Sequence, residues 1–351
     1  MRKYSAALFA TFFSFLGMAH FSSCAQSQLS GSLPAAYGNI SPDALRYFDD
    51  AFRQVRDHAL KKKNIDFEQL YKESLEKMKN AQTYKDTYDA IRYLLASLKD
   101  NHSFFMEPPK NGGSIITQLS NKPGTIPFTA SVIEREYGLL VLKSYNSTGE
   151  EELHRIADSI YAALRSMQQQ GVKGLIIDFT KMEGGTTLPF LSGFSPLIDK
   201  DMLIGYKDNK GHRAQIIRYK NGIIYKNGRK RSRLCYLTDY TPFTLSRQPI
   251  AIITGKYTAS AGEMVLISFL GLPNVKTFGE PTLGVPTGKT NIFLADSAFI
   301  SLTSFSTYDR SKKDHAGPIQ PDVSLDLGTM PEQKVYHLAM DWIKEKSIGN
   351  P

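Results

Sequence analysis

A chain of 351 residues, 41% hydrophobic and 22% charged, has the length to bury one large core or two smaller ones and the composition of a folded protein rather than a disordered one. Its formal net charge of +9 is concentrated between Lys207 and Arg233, where Lys226, Arg229, Lys230, Arg231 and Arg233 crowd together, so it reads as a solvated local face and not as a nucleic-acid-binding surface. With two cysteines and seven histidines at no zinc-like spacing, neither a disulfide framework nor a metal site is expected.

In chain order, Arg2 and Lys3 precede the apolar stretch Ala6 to Gly17, and small residues follow at Ser22, Ser23, Cys24 and Ala25. Residues 1–25 therefore read as a secretory signal peptide, too short for a membrane span. Ser23-Cys24-Ala25 suits ordinary cleavage before Gln26, whereas Phe21-Ser22-Ser23-Cys24 is similar to a bacterial lipobox whose cysteine, Cys24, is lipidated. Both routes stay open. Either places the mature protein in a bacterial cell envelope, as a periplasmic protein or an outer-membrane lipoprotein attached through Cys24, or outside the cell.

Residues 34–107 read as a helical subdomain. Ser41-Pro42-Asp43 is a cap with proline in the first turn, followed by Leu45, Phe48, Phe52 and Val55 at helical spacing. Phe67, Leu70, Tyr71, Leu75 and Met78 form a second stripe, and Tyr84, Tyr88, Ile91, Leu94, Leu95 and Leu98 a third. Residues 108–127, rich in Gly, Asn, Ser and Pro, read as a loop too short to hold an inserted domain.

A core over residues 128–330 follows. Gly138 to Leu142 is an expected strand, Glu150 to Gln169 an amphipathic helix, and Gly174 to Asp178 an apolar strand, which together make a β-α-β unit. Pro249 to Thr254, a helix from Ala261, and Val275 to Phe278 repeat that arrangement. Between them Lys220-Asn221-Gly222 and Lys226-Asn227-Gly228 read as turns between short strands. Asn291 to Leu294 and Ala298 to Phe305 suggest a hairpin, and a closing helix from Pro331 to Lys346 occupies the final segment, 331–351. The fold class is α/β. Cys235, flanked by Leu234 and Tyr236, reads as a packed small hydrophobe.

The most informative segment is Tyr257-Thr258-Ala259-Ser260-Ala261-Gly262-Glu263-Met264, which turns the strand ending at Thr254 into a helix. A serine at such a junction stands clear of the sheet, beside free N–H groups at the helix start that can stabilise an oxyanion. Ser260 and Glu263, three apart, also fit a capping box without chemistry.

Thr258-Ala259-Ser260-Ala261-Gly262-Glu263 after an apolar strand resembles the nucleophile segment of the C-terminal processing (tail-specific) and tricorn-like serine peptidases. Gly279-Glu280-Pro281-Thr282-Leu283-Gly284 looks like that family's Gly-x-x-Thr-x-Gly segment, and Gly317 to Asp322 like its Gly-x-x-Pro-Asp ending. Leu98 to Phe104 is similar to the Leu-x-Asp-x-His motif, and Leu175 to Asp178 followed by Gly184-Gly185 to the strand and glycine pair of the oxyanion loop. The resemblance covers roughly residues 40 to 326. It implies a ClpP/crotonase-like β-α-β core beside the helical subdomain, with residues 108–127 in the interval where many members carry a PDZ domain.

The same resemblance implies the site. Ser260 is the nucleophile, with Gly184 or Gly185 and Ala261 as oxyanion donors. Val285 stands where processing peptidases place their lysine, leaving Lys289 as a backup base out of register. The closer match is the tricorn-like branch, in which His102 is the general base and Asp314 the acid that orients it. Asn101 replaces the serine expected before the histidine, Asp314 replaces a glutamate, and Thr180 and Met182 alter the usual Asp-Leu-Arg-x-Asn pattern. The implied activity is hydrolysis of peptide bonds in a peptide or protein substrate, without a cofactor. The alternative is a catalytically inactive relative that binds peptides or other ligands in the envelope, as the interphotoreceptor retinoid-binding protein modules of this family carry ligands.

Overall fold

Helix α1 (Pro42–His58) starts where its sequence says it should. The Ser41 hydroxyl accepts from the Ala44 N–H at 3.2 Å, and Pro42 fills a first-turn position that needs no donor. Asp66 caps α2 (Phe67–Lys77), accepting from the N–H groups of Glu68 and Gln69. The third stripe forms a short 3₁₀ turn over Lys85–Thr87 that leads into α3 (Tyr88–Ser97). The computed structural model describes residues 37–110, 112–113, 118–147, 149–241 and 244–348. The expected signal peptide and Cys24 lie outside the described residues.

The remaining elements in chain order are β1 (Phe104–Met106), β2 (Phe128–Ile133), β3 (Tyr137–Tyr145), α4 (Glu150–Gln169), β4 (Gly174–Gly185) and α5 (Leu188–Phe194). Next come β5 (Met202–Asp208), β6 (Arg213–Tyr219), β7 (Gly222–Asn227), β8 (Lys230–Tyr236), β9 (Ile250–Thr254), α6 (Ala261–Ile267) and β10 (Val275–Gly279). The last are β11 (Thr287–Phe293), β12 (Phe299–Tyr308), β13 (Asp314–His315), β14 (Val323–Ser324) and α7 (Glu332–Ile348). No described helix is long and apolar enough to cross a membrane.

The chain divides into two units. The first holds α1, α2 and α3, with β1, most of β11 and the first part of β12. Its core joins Phe48, Phe52, Val55, Leu75, Ile91 and Leu94 to Ile292, Leu294, Ile300 and Leu302 of the β11–β12 hairpin. Burial of such side chains stabilises by about 1.5–3 kcal/mol each. At the hairpin tip Asp296 accepts from the Tyr47 hydroxyl at 2.7 Å, the Tyr88 hydroxyl at 2.5 Å and the Ala298 N–H at 3.0 Å. Strand β1, which the sequence pattern did not announce, pairs antiparallel with β12 from Phe104↔Ser301 to Met106↔Phe299.

The second unit is built on a sheet ordered β14-β10-β9-β4-β3-β2, parallel except for the antiparallel edge strand β2. Both expected β-α-β crossovers are present, β3-α4-β4 and β9-α6-β10. One sheet face packs Ile176, Ala251, Ile253 and Phe278 against Val335, Ala339, Met340 and Ile343 of α7. Strands β5 to β8 form an antiparallel meander. Its two-residue turns fall one place from the expected Asn-Gly pairs. Tyr219 faces Gly222 across Lys220-Asn221, and Asn227 faces Lys230 across Gly228-Arg229. Cys235 is buried, which pushes its thiol up to about 12.

Strand β4 corrects a boundary. The segment after Asp178, expected to be a loop, continues as strand to Gly185, with register shifts against β3 between Val141 and Tyr145. Asp178 organises the change. Its carboxylate accepts from the Thr180 N–H and hydroxyl at 2.8 and 2.7 Å and from the Tyr336 hydroxyl at 2.7 Å, so Thr180 has a structural partner within the strand.

Candidate active site

Every residue of β9 is buried, and the strand delivers the chain to a tight connection over residues 255–259. Thr258 braces that connection, its hydroxyl accepting from the Gly255 N–H and donating to the Phe179 carbonyl, both at 3.0 Å. The Ala259 N–H donates to the Met182 carbonyl at 3.1 Å, which stitches the connection to the end of β4. Ser260 then takes φ 51° and ψ −110°. An ordinary N-cap lies in the β region. A non-glycine residue held at this angle stores about 1–3 kcal/mol, and such residues cluster at active sites. A strained serine between a strand and a helix is the geometry that exposes a nucleophilic hydroxyl.

Glu263 supports the same turn from inside. Its fully buried carboxylate accepts from the Ser260 N–H at 2.9 Å, the Thr282 hydroxyl at 2.5 Å, and the Gly284 and Val285 N–H groups at 2.8 and 2.9 Å. Burial pushes its carboxyl above the ordinary range, against the pull of these hydrogen bonds. The Ser260–Glu263 contact of the expected capping box is therefore real, yet three of the four bonds reach a loop some twenty residues onward. Nothing in the local spacing announced those. The Thr282-Leu283-Gly284 motif was the signal that could have.

Gly184 lies against the nucleophile. A Cβ added there would sit 3.4 Å from Ser260 Cβ and 3.9 Å from its Oγ, and the backbone has φ 150°. Gly185 faces the neighbouring strand instead, where a Cβ would come within 2.1 Å of the Tyr145 carbonyl oxygen. Ala261, buried, is the first residue of α6. Ser260, Ala261 and Gly184 are thus brought together by the carboxyl ends of β4 and β9, where parallel sheets present their sites.

Asp314 belongs to the same unit as Ser260 and pairs in register with Tyr308. It forms an ion pair with Lys207 at a half-exposed position. Its neighbour His315 is buried, with Nε2 2.9 Å from the Asp309 carboxylate. The aspartate of the Gly-x-x-Pro-Asp ending has a fold role: Asp322 accepts from the Thr277 N–H and hydroxyl at 2.8 and 2.9 Å, joining β14 to β10.

His102 and Lys289 belong to the other unit. Lys99 and Asn101, both at positive φ, turn the chain around Asp100. The Asp100 carboxylate accepts from the His102 N–H at 3.0 Å and from the Ser103 N–H and hydroxyl at 2.8 and 2.5 Å. This is an aspartate turn that fixes the histidine backbone. Burial, reinforced by the Lys289 cation and opposed by Asp100, lowers His102 to about 4. Lys289 itself is lowered to about 8 by burial, with Asp100 acting the other way, and its ammonium lies 4.7 Å from the centre of the Phe104 ring. At neutral pH the imidazole is therefore uncharged, as a proton acceptor must be. Among the described residues no cluster of His, Cys, Asp and Glu is arranged to hold a metal ion.

The profile of a known family, Peptidase family S41, matches residues 136–325 of this chain. A nisin-resistance protein of Lactococcus lactis subsp. lactis is 23% identical over 308 residues, which span 88% of this chain and 89% of that one. Among solved structures, a lipoprotein from Streptococcus agalactiae is similar with a TM-score of 0.70 at 21% identity, covering 88% of this chain and 98% of that chain. The photosystem II D1 C-terminal processing protease is similar with a TM-score of 0.56 at 18% identity, covering 84% and 95% respectively. At such identities these structures show a shared fold.

Proposed function

We propose, from the premise that the chain belongs to peptidase family S41, that it is a serine peptidase of the cell envelope, closest in mechanism to the tricorn-like branch. One observation carries the reading: Ser260 is held at φ 51° where β9 passes into α6, with Gly184 against its side chain. A serine with only a capping duty needs no such backbone.

In this mechanism the Ser260 hydroxyl attacks the scissile carbonyl carbon while the His102 imidazole takes its proton. The oxyanion that forms accepts hydrogen bonds from backbone N–H groups of Ala261 and of Gly184 or Gly185. The resulting imidazolium returns the proton to the leaving amine, and a water activated by the same imidazole hydrolyses the acyl-enzyme. Asp314 would orient the imidazole, which requires it to exchange Lys207 for His102. Lys289 serves as a cation near His102 rather than as the base. The relative named nisin-resistance protein and the solved lipoprotein support a place in the cell envelope, in keeping with an amino-terminal leader that is either cleaved before Gln26 or processed to a lipidated Cys24.

The Asp314–Lys207 ion pair favours one second reading, in which the acid is engaged elsewhere and the protein binds peptides without cleaving them. The two readings separate on one measurement. Purified protein should react covalently with a fluorophosphonate probe at Ser260 and cleave fluorescent casein, and Ser260→Ala should lose both while keeping its circular dichroism spectrum. A native protein inert toward both reagents supports the binding reading and ends the peptidase one.

A further inference from the structure

The feature that capping does not explain is the burial of Glu263. An N-terminal carboxylate satisfies a helix just as well from an exposed position, where it keeps its water. Here it is removed from solvent, and all four of its hydrogen-bond partners are uncharged groups: three backbone N–H groups and the Thr282 hydroxyl. Burying a carboxylate without a cation is unfavourable unless its lone pairs are filled. Four donors fill them. They come from two places in the chain, the strained Ser260 and the Thr282–Val285 segment.

From this geometry we infer that Glu263 is a positioning residue that latches the Ser260 nucleophile to the 282–285 loop, so that the loop sets the orientation of the serine. This rests on the peptidase reading. The Ser260 N–H is directed by Glu263 Oε2, and the same oxygen holds the Val285 N–H. The other oxygen holds Thr282 and Gly284. Between those residues, the Leu283 N–H donates to the Thr258 carbonyl at 2.9 Å, while Leu283 as a residue is 57% exposed. The loop thus presents an apolar side chain outward and grips the nucleophile turn through both its backbone and the carboxylate. A substrate side chain resting on Leu283 would press on the segment that aligns the serine.

The test measures the fluorophosphonate reaction of Ser260 in the native protein, in Glu263→Gln, and in Thr282→Val, which removes one donor and leaves the carboxylate. Saturation kinetics separate probe affinity from the maximal labelling rate, and thermal melting reports folding. Misalignment of a reacting atom by about 1 Å slows reaction roughly 100-fold. Glu263→Gln is therefore expected to lower the maximal rate by about that factor, and Thr282→Val by less, with probe affinity unchanged in both. A merely structural carboxylate would lower the melting temperature and leave the labelling rate of folded molecules as it was, which overturns the latch. If Glu263→Gln does not fold, Thr282→Val decides by the same criterion. Native protein that is unlabelled at Ser260 overturns the peptidase reading and the latch together, whereas native labelling with unchanged variants overturns the latch alone.

Discussion

The backbone of Ser260 stores energy that the hydroxyl does not need in order to exist, and this separates two substitutions usually treated alike. Ser260→Ala removes the hydroxyl and keeps the strained φ, whereas Ser260→Gly removes both, since glycine occupies positive φ freely. Strain of about 1–3 kcal/mol exceeds the roughly 0.5–1 kcal/mol that glycine loses through its unfolded-state freedom. Ser260→Gly should therefore be more stable than Ser260→Ala by about 1 kcal/mol in urea unfolding, with both unreactive toward fluorophosphonate. A second prediction concerns charge. The Lys289 cation adds to burial in disfavouring a positive imidazole, so Lys289→Met removes the smaller of the two effects that lower His102, and its pKa rises from about 4 while burial still holds it below its ordinary range. The acid limb of the labelling-rate profile should move to higher pH. Loss of labelling at every pH would instead make Lys289 the base, and an unmoved limb would show that the lysine does not act on the imidazole.

At the scale of elements, local chemistry spoke where it was self-contained. The Ser41 cap, the three helical stripes, Glu150–Gln169 and the two apolar parallel strands all formed as read, because caps and apolar periodicity carry their own explanation. Short elements that depend on a partner were silent. Strand β1 is three residues long and exists through its register with β12, and the prolongation of β4 depends on Asp178 meeting Tyr336 from α7. The candidate site divides the same way. Ser260 and Gly184 were legible from motif and junction, whereas the reach of Glu263 to Thr282, Gly284 and Val285 was not, because the spacing of a capping box already accounted for both ends. Asp296 is a further case, a hairpin-tip aspartate that serves two buried tyrosines of distant helices. Asp296→Ala leaves those hydroxyls unpaired and should cost about 3 kcal/mol in urea unfolding. Asp296→Asn, which keeps an acceptor, should cost less.

On the scale of the whole molecule, sequence order and spatial order part company. The expected boundary put a helical subdomain at residues 34–107, yet the unit that contains those helices also takes in residues 208–210 and 288–305. Ile292, Leu294, Ala298, Ile300 and Leu302 fill its core, and no periodicity within the first hundred residues could show that five of its core side chains arrive from elsewhere. A fragment of residues 37–118 should accordingly lack a cooperative thermal transition, while the same fragment joined through a short linker to residues 286–305 should regain one, as followed by circular dichroism at 222 nm. Cooperative melting of the shorter fragment would show that the hairpin is dispensable.

The hairpin that closes the first core has a further consequence for how the chain is made. Roughly 190 residues separate the end of α3 from Gly288, and at about 5–20 residues per second a ribosome takes on the order of 10–40 s to deliver them. Through that interval the earliest helices wait with their apolar faces uncovered, so the newborn protein carries a sticky amino-terminal segment until residues 288–305 have emerged.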